Sequence, residues 1–151
     1  MMREKKLTAG CIAAVRAGNK TQLRQALRPQ PPADAELLAL DHLTPLWLTS
    51  GGAVRGEACP LGGPAELLDV SNAERPLQLV IDRVRVQRIQ DISDADIKAE
   101  GAVWRAEGGD DGASERHGFA RWWSEINARS GFTWDVNPWV WVVDFHIADG
   151  E

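Results

Sequence analysis

Lys20 lies in the segment of the chain with the most chemical potential, Gly18-Asn19-Lys20-Thr21-Gln22-Leu23-Arg24-Gln25, directly after a stretch of helical spacing. Its amine is a general base if burial lowers its pKa, or a contact for an oxyanion or phosphate if it stays charged. A glycine at the helix C-terminus would aim Lys20 out of the turn, into whatever lies beside the helix end. Residue chemistry alone favours a plainer reading: a solvated helix terminus with cations near the negative end of the dipole. Other chemistries find less support. His42, His117 and His146 are scattered, and neither Cys11 nor Cys59 sits in a C-x-x-C pair, so no metal constellation stands out. His146, on a strand near the C-terminus, reads as a structural residue. No nucleophile-elbow motif supports a Ser-His-Asp arrangement, and Gly62 and Gly63 lack the lysine of a phosphate-binding loop.

The elements that must position these residues belong to a chain of 151 residues, one domain by length and long enough to bury a real core. A net charge of −5 argues against indiscriminate nucleic-acid binding, although a cleft can carry the opposite sign to the whole. Thirteen of the seventeen basic residues are arginine, suited to stacking and to bidentate anion contacts. Two distant cysteines suit a reduced, cytoplasmic protein, and nothing approaches the length of a membrane span. No cofactor, metal or membrane partner is expected.

Local patterns give the elements. Thr8 to Ala17 has helical spacing, Thr8 as N-cap and Gly18 as stop. The segment through Pro32 reads as a loop leading into a short strand. ADAELLALDHL fits one or two helical turns, LTPLWLT looks extended, and Gly51 to Ala65 reads as loop. ELLDV is a short extended candidate. Leu77 to Ile89 is a strand with Val84 and Val86 on one face and Arg83 and Arg85 on the other. Leu79 and Ile81 share the arginine parity, which predicts a bulge or burial of both faces. Ser93 caps a helix over 93–100 that stops at Gly101, GGDDGASERHG is a polar loop, and a further helix spans Phe119 to Ala128. The closing strand, Pro138 to Ile147, follows a stretch dense in tryptophan: five of seven lie from Trp122 onward. Trp139, Trp141, Val143 and Phe145 alternate with Val140 and Val142. Because β-branched residues occupy the second face, the tryptophans read as core rather than as a stacking surface. Trp139 and Trp141 are expected to be mainly buried.

Four collinear segments carry a family resemblance. GNKTQLRQALRPQPP resembles GRKTQTRRxIKPQP of phage-type ASCH-domain proteins, and CPLGGPAELLDV resembles their CPYGxPGDRLWV. RVRVQRIQDISDADIKAEGA is similar to their strand-plus-helix V-x-V-x-R-L-Q-D-I-S-x-x-D-A-x-A-E-G, and SEINARSGFTWDVNPWVWVVDF to LWDSINxxxGxxWDxNPWVWVIEF. The resemblance implies an α+β domain with a PUA-like small β-barrel, helices at its ends, and a cleft for RNA, a nucleotide or a nucleoside. Lacking an apolar first strand in REKKL, this barrel is expected to be partly open. Some relatives are amidohydrolases acting on acetylcytidine. The family motif G-x-K-x-x-E-x-R is matched at Gly18 and Lys20. Leu23 stands where Glu or Thr is expected, Gln25 where Arg is, and Asn72 where relatives carry Glu in the next segment. Asp69 and Ser71 replace a tryptophan and an arginine there.

Three functions follow as expectations. The first is non-enzymatic binding of RNA, a nucleotide or a nucleoside, with Lys20, Arg24, Arg28 and Asn72 as ligand contacts. The second is a residual amidohydrolase with Lys20, Thr21 and Glu74 as catalytic residues, Glu66 being another nearby acid. The third is a phage or prophage accessory protein acting through protein contacts. The loss of a polar residue at Leu23 and of a carboxylate at Asn72 favours binding. Whether Lys20 and an acidic side chain share one pocket separates these readings.

Overall fold

Side-chain caps set the helices, and they do so where local sequence signals them. The Thr8 hydroxyl accepts from the Cys11 amide at 3.1 Å and opens α1 (Ala9–Arg16), while Gly18, at φ +81°, ends it. Ser93 accepts from the Asp96 amide and opens α2 (Asp94–Ala99). A short α3 (Val103–Ala106), not anticipated, follows directly. The last helix, α4 (Glu115–Ile126), begins four residues before the expected Phe119 because Ser114 caps it on the His117 amide. Gly118 sits within α4 for a packing reason: a Cβ there would fall 2.5 Å from Cδ1 of Trp104 on α3. The computed structural model describes residues 3–106 and 114–148; most of the expected GGDDGASERHG loop lies outside them.

Among the described residues eight strands make two sheets. The larger has the order β1-β6-β7-β8-β2, built from β1 (Arg3–Lys5), β6 (Leu67–Val70), β7 (Gln78–Arg88), β8 (Trp139–Ile147) and β2 (Gln22–Ala26). Only β1 runs parallel to its neighbour, β6; the remaining pairs are antiparallel. The smaller sheet is β3 (Glu36–Asp41), β4 (Thr44–Thr49) and β5 (Gly52–Arg55). A bulge between Ile81 and Arg83 lets β7 change parity, as the valine and arginine spacing predicts.

Several expectations are corrected here. ADAELLALDHL is a strand, not helical turns: His42 and Leu43, both at positive φ, make a two-residue hairpin that pairs β3 with β4. Part of the expected loop after Gly51 continues the same sheet as β5. REK does form a first strand, held by pairing to β6 rather than by apolar content. Trp141 is buried, but Trp139, the first residue of β8, is only half-buried; it packs edge-on against Trp47 with centroids 4.9 Å apart. Both cysteines are buried, and neither is in a disulfide.

The sheet does not close into a barrel. Its outermost strands, β1 and β2, nevertheless curl toward each other, and Lys5 Nζ donates to Gln25 Oε1 across the gap at 2.6 Å. A side-chain bridge thus replaces the last backbone ladder, leaving a seam between two strand edges. Among the described residues no helix is long and apolar enough to cross a membrane.

Candidate functional site

Lys20 is not solvated. The turn after α1 carries it under the end of α2, where it is 2% exposed and Nζ meets Glu100 Oε1 at 2.6 Å. Glu100 caps α2 and is itself 1% exposed. Its other oxygen accepts from Arg24 Nη1 at 2.7 Å, so two cations clamp one carboxylate. Gly101, at φ +93°, allows this approach, since a Cβ there would lie 2.9 Å from the Lys20 Cβ. Taking three charges from water is costly, and only such direct pairing makes it tolerable. The Lys20 amine also lies 5.8 Å over the Trp122 ring.

The network runs outward from there. Arg24 reaches Gln22 Oε1, Gln87 Oε1 and Asp96 Oδ2 at 2.9, 3.1 and 3.4 Å. Asp96 also accepts from Gln22 Nε2 at 2.9 Å and from Arg85 at 3.3 Å. Burial pushes the Asp96 pKa up, but the Gln22 hydrogen bond and the Arg24 and Arg85 charges outweigh it and hold the carboxyl below its ordinary value. A depressed folded-state pKa gives stability that is present above the unfolded value of about 3.9 and is lost as pH falls through the folded one. Asp96→Asn should therefore flatten the acid limb of stability. Denaturant midpoints measured from pH 6 down to pH 3 check this, and equal losses in variant and wild type would contradict it.

Two connected spaces open beside this cluster. A cavity of about 80 Å³ touches Lys20, Leu23, Arg24, Glu100, Trp122 and Trp123. Lys5, Lys6, Thr8, Arg24 and Ile126 line both it and a groove of about 380 Å³ along the β1–β2 seam. Four of the residues lining the groove are cationic, Lys5, Lys6, Arg24 and Arg28, and none is acidic. The crowding is visible in Lys5, whose pKa is lowered chiefly by burial and further by Lys20 and Arg28, against the pull of Cys11. The inner cavity holds little more than water. The groove has the size of a small-ligand site, roughly 300–1,000 Å³.

The other sequence-nominated residues are placed as follows. Arg28 is exposed on the groove wall, with its guanidinium 5.4 Å over Phe132. Thr21 is exposed, and its amide and carbonyl bond Ala99 and Phe145. Glu74 and Asn72 line a different hollow, beside α1 with Arg16 and Arg75, and do not join Lys20. The Asn72 amide is committed to the Leu7 backbone, accepting from N at 3.1 Å and donating to O at 2.7 Å. Leu23 is core, Gln25 binds Lys5, and Glu66 is tied to Arg3 and the Gly63 amide. Sequence reasoning missed Glu100, Lys5 and Lys6. The basic run at residues 5–6 is a signal for the lysines; Glu100 falls on the Glu of the quoted A-E-G pattern, but nothing local points to its partner eighty positions away. Among the described residues no group of three or more His, Cys, Asp and Glu could hold a metal ion.

No family model matches the chain, and no curated protein matches it. Among solved structures, a protein from Enterococcus faecalis V583 of the DUF984 family matches 98% of this chain over 80% of its own, with TM-score 0.53 and 12% identity. The ASCH domain from Lactobacillus crispatus JV V101 matches 97% of this chain over 79% of its own, with TM-score 0.50 and 15% identity. The fold is ASCH-like. At these identities the likeness is one of fold alone. The described residues of this chain are α+β, with two open sheets rather than a closed barrel.

Proposed function

We propose that this ASCH-like domain binds a single strand of RNA, or a nucleotide, along the β1–β2 seam, without catalysis. One observation carries the reading: in a chain of net charge −5, the seam gathers Lys5, Lys6 and Arg28 beside the already paired Arg24, and no carboxylate lines it. Lys5, Lys6 and Arg28 then meet phosphate, and Arg24 forms the inner wall, where its Nε is buried with no partner among the described residues. Lys20 acts from behind, holding Glu100 and through it Arg24. The four collinear segments of phage-type sequence support a prophage origin.

Lys20 and an acidic side chain, Glu100, do share one cavity, which by itself would suit catalysis, but both carboxylate oxygens are already held, one by Lys20 and one by Arg24. Binding is favoured over acetylcytidine hydrolysis on three further grounds. Leu23 offers no polar group to the cavity, Asn72 is spent on the Leu7 backbone, and Thr21 and Glu74 lie apart from Lys20. An anisotropy titration of a short labelled single-stranded RNA should show saturable binding, weakened several-fold by Lys6→Glu, an exposed position. A deacetylation assay on the same preparation, followed by chromatography, should show no turnover. Absence of binding, or many product equivalents per protein, would overturn the proposal.

A further inference from the structure

A further hollow, of about 280 Å³, lies between the two sheets. Trp47 from β4 and Trp141 from β8 line it, each 2% exposed, together with Pro29, Pro45 and Gly56. Buried tryptophans usually find an acceptor for the indole N–H, as Trp123 does on the Phe132 carbonyl at 2.8 Å. Neither Trp47 nor Trp141 has a hydrogen-bond partner for its indole among the described residues. Trp47 Nε1 lies beside Gly56, 3.0 Å from where a Cβ there would stand, so its N–H borders the wall of this hollow.

Gly56 keeps the opening clear. Its amide donates to the Pro45 carbonyl at 2.8 Å, which holds the backbone against the hollow. A Cβ at Gly56 would fall 2.9 Å from Pro45 Cγ and 3.0 Å from Trp47 Nε1, closer than such atoms sit. The hollow is also next to the seam. Arg28 lines both spaces, and Gln25 on the groove wall is the register partner of Trp141.

We infer that this hollow is the base subsite of the ligand whose phosphate lies in the seam: it takes a nucleobase bearing ring carbonyls. The accessible apolar surface of Pro29, Pro31 and Pro32 suits a planar ring, the unpaired Trp47 indole donor suits a carbonyl acceptor, and Arg28 spans from base to phosphate. The inference rests on the seam as the phosphate site.

Calorimetric titrations with uridine 5′-monophosphate and with ribose 5-phosphate separate the two claims, because the probes share a phosphate and differ in the base. Wild type is expected to bind the uridine nucleotide about tenfold or more tightly than the sugar phosphate, the scale that burying a base supplies. Gly56→Ala should bring the two within about twofold while leaving ribose 5-phosphate affinity unchanged. Trp47→Phe, which keeps a ring and removes the donor, should reduce the same ratio. Equal affinities in the wild type, alongside intact RNA binding, would overturn the base subsite and leave the seam standing. No binding of RNA or of either phosphate would overturn both.

Discussion

Glu100→Ala should destabilise the protein by about 3–5 kcal/mol, the range for removing one partner from a buried charge cluster. The loss exceeds that of the ion pairs themselves, because the variant leaves Lys20, 2% exposed, without a counter-charge and Arg24, 7% exposed, with only the longer contact to Asp96 at 3.4 Å. Surface pairs such as Arg3 with Glu66, about half exposed on both sides, contribute at most about 1 kcal/mol. Glu100→Gln keeps the shape but not the charge and should fall between. Denaturant unfolding at pH 7 reads the difference directly. A loss under about 1 kcal/mol for the alanine variant would mean that water reaches the cluster and that Lys20 is solvated after all. The result also governs how Lys20 variants are read, since Lys20→Ala would weaken binding through the fold as well as through the site.

Trp141→Ala should cost about 3–5 kcal/mol, and Trp139→Ala distinctly less, about 1–2 kcal/mol. Period-two spacing puts both on one face of β8 and so predicts equal burial. Trp141 lies mid-strand, paired with Gln25 on one side and Val86 on the other, and is 2% exposed. Trp139 starts the strand, where the covering layer ends, and its outer face carries the Arg88 guanidinium 4.7 Å above the ring. Equal losses would show that the exposure of Trp139 does not matter energetically; a larger loss at Trp139 would contradict the packing described.

What was legible in the sequence follows from how local each cause is. Thr8, Ser93, Gly18 and Gly101 mark helix ends through bonds within a few residues, and the parity switch in β7 is written in six positions between Leu79 and Val86. β3 was missed because Leu37, Leu38 and Leu40 fit a helical turn as well as a strand, and the turn that decides it, His42-Leu43, lacks the glycine that announces such hairpins. β1 has no apolar signal at all; pairing with β6 makes it a strand. At the site, Lys20 and Arg24 were singled out, but Glu100 becomes their partner only when the end of α2 packs under the start of β2. The seam itself is a product of sheet curvature, which no spacing of residues encodes.

The most direct test of the seam is the salt dependence of single-stranded RNA affinity, for wild type and for the double variant Lys6→Glu/Arg28→Glu. Both positions are exposed, so the substitutions should leave stability near that of the wild type. Each phosphate contact contributes about 0.7 to the slope of log K against log salt. Wild type should show a clear negative slope, and the double variant should bind more weakly with a slope smaller by about 1.4. Wild-type affinity that does not change with salt, or an identical slope in the variant, would contradict phosphate binding at the seam.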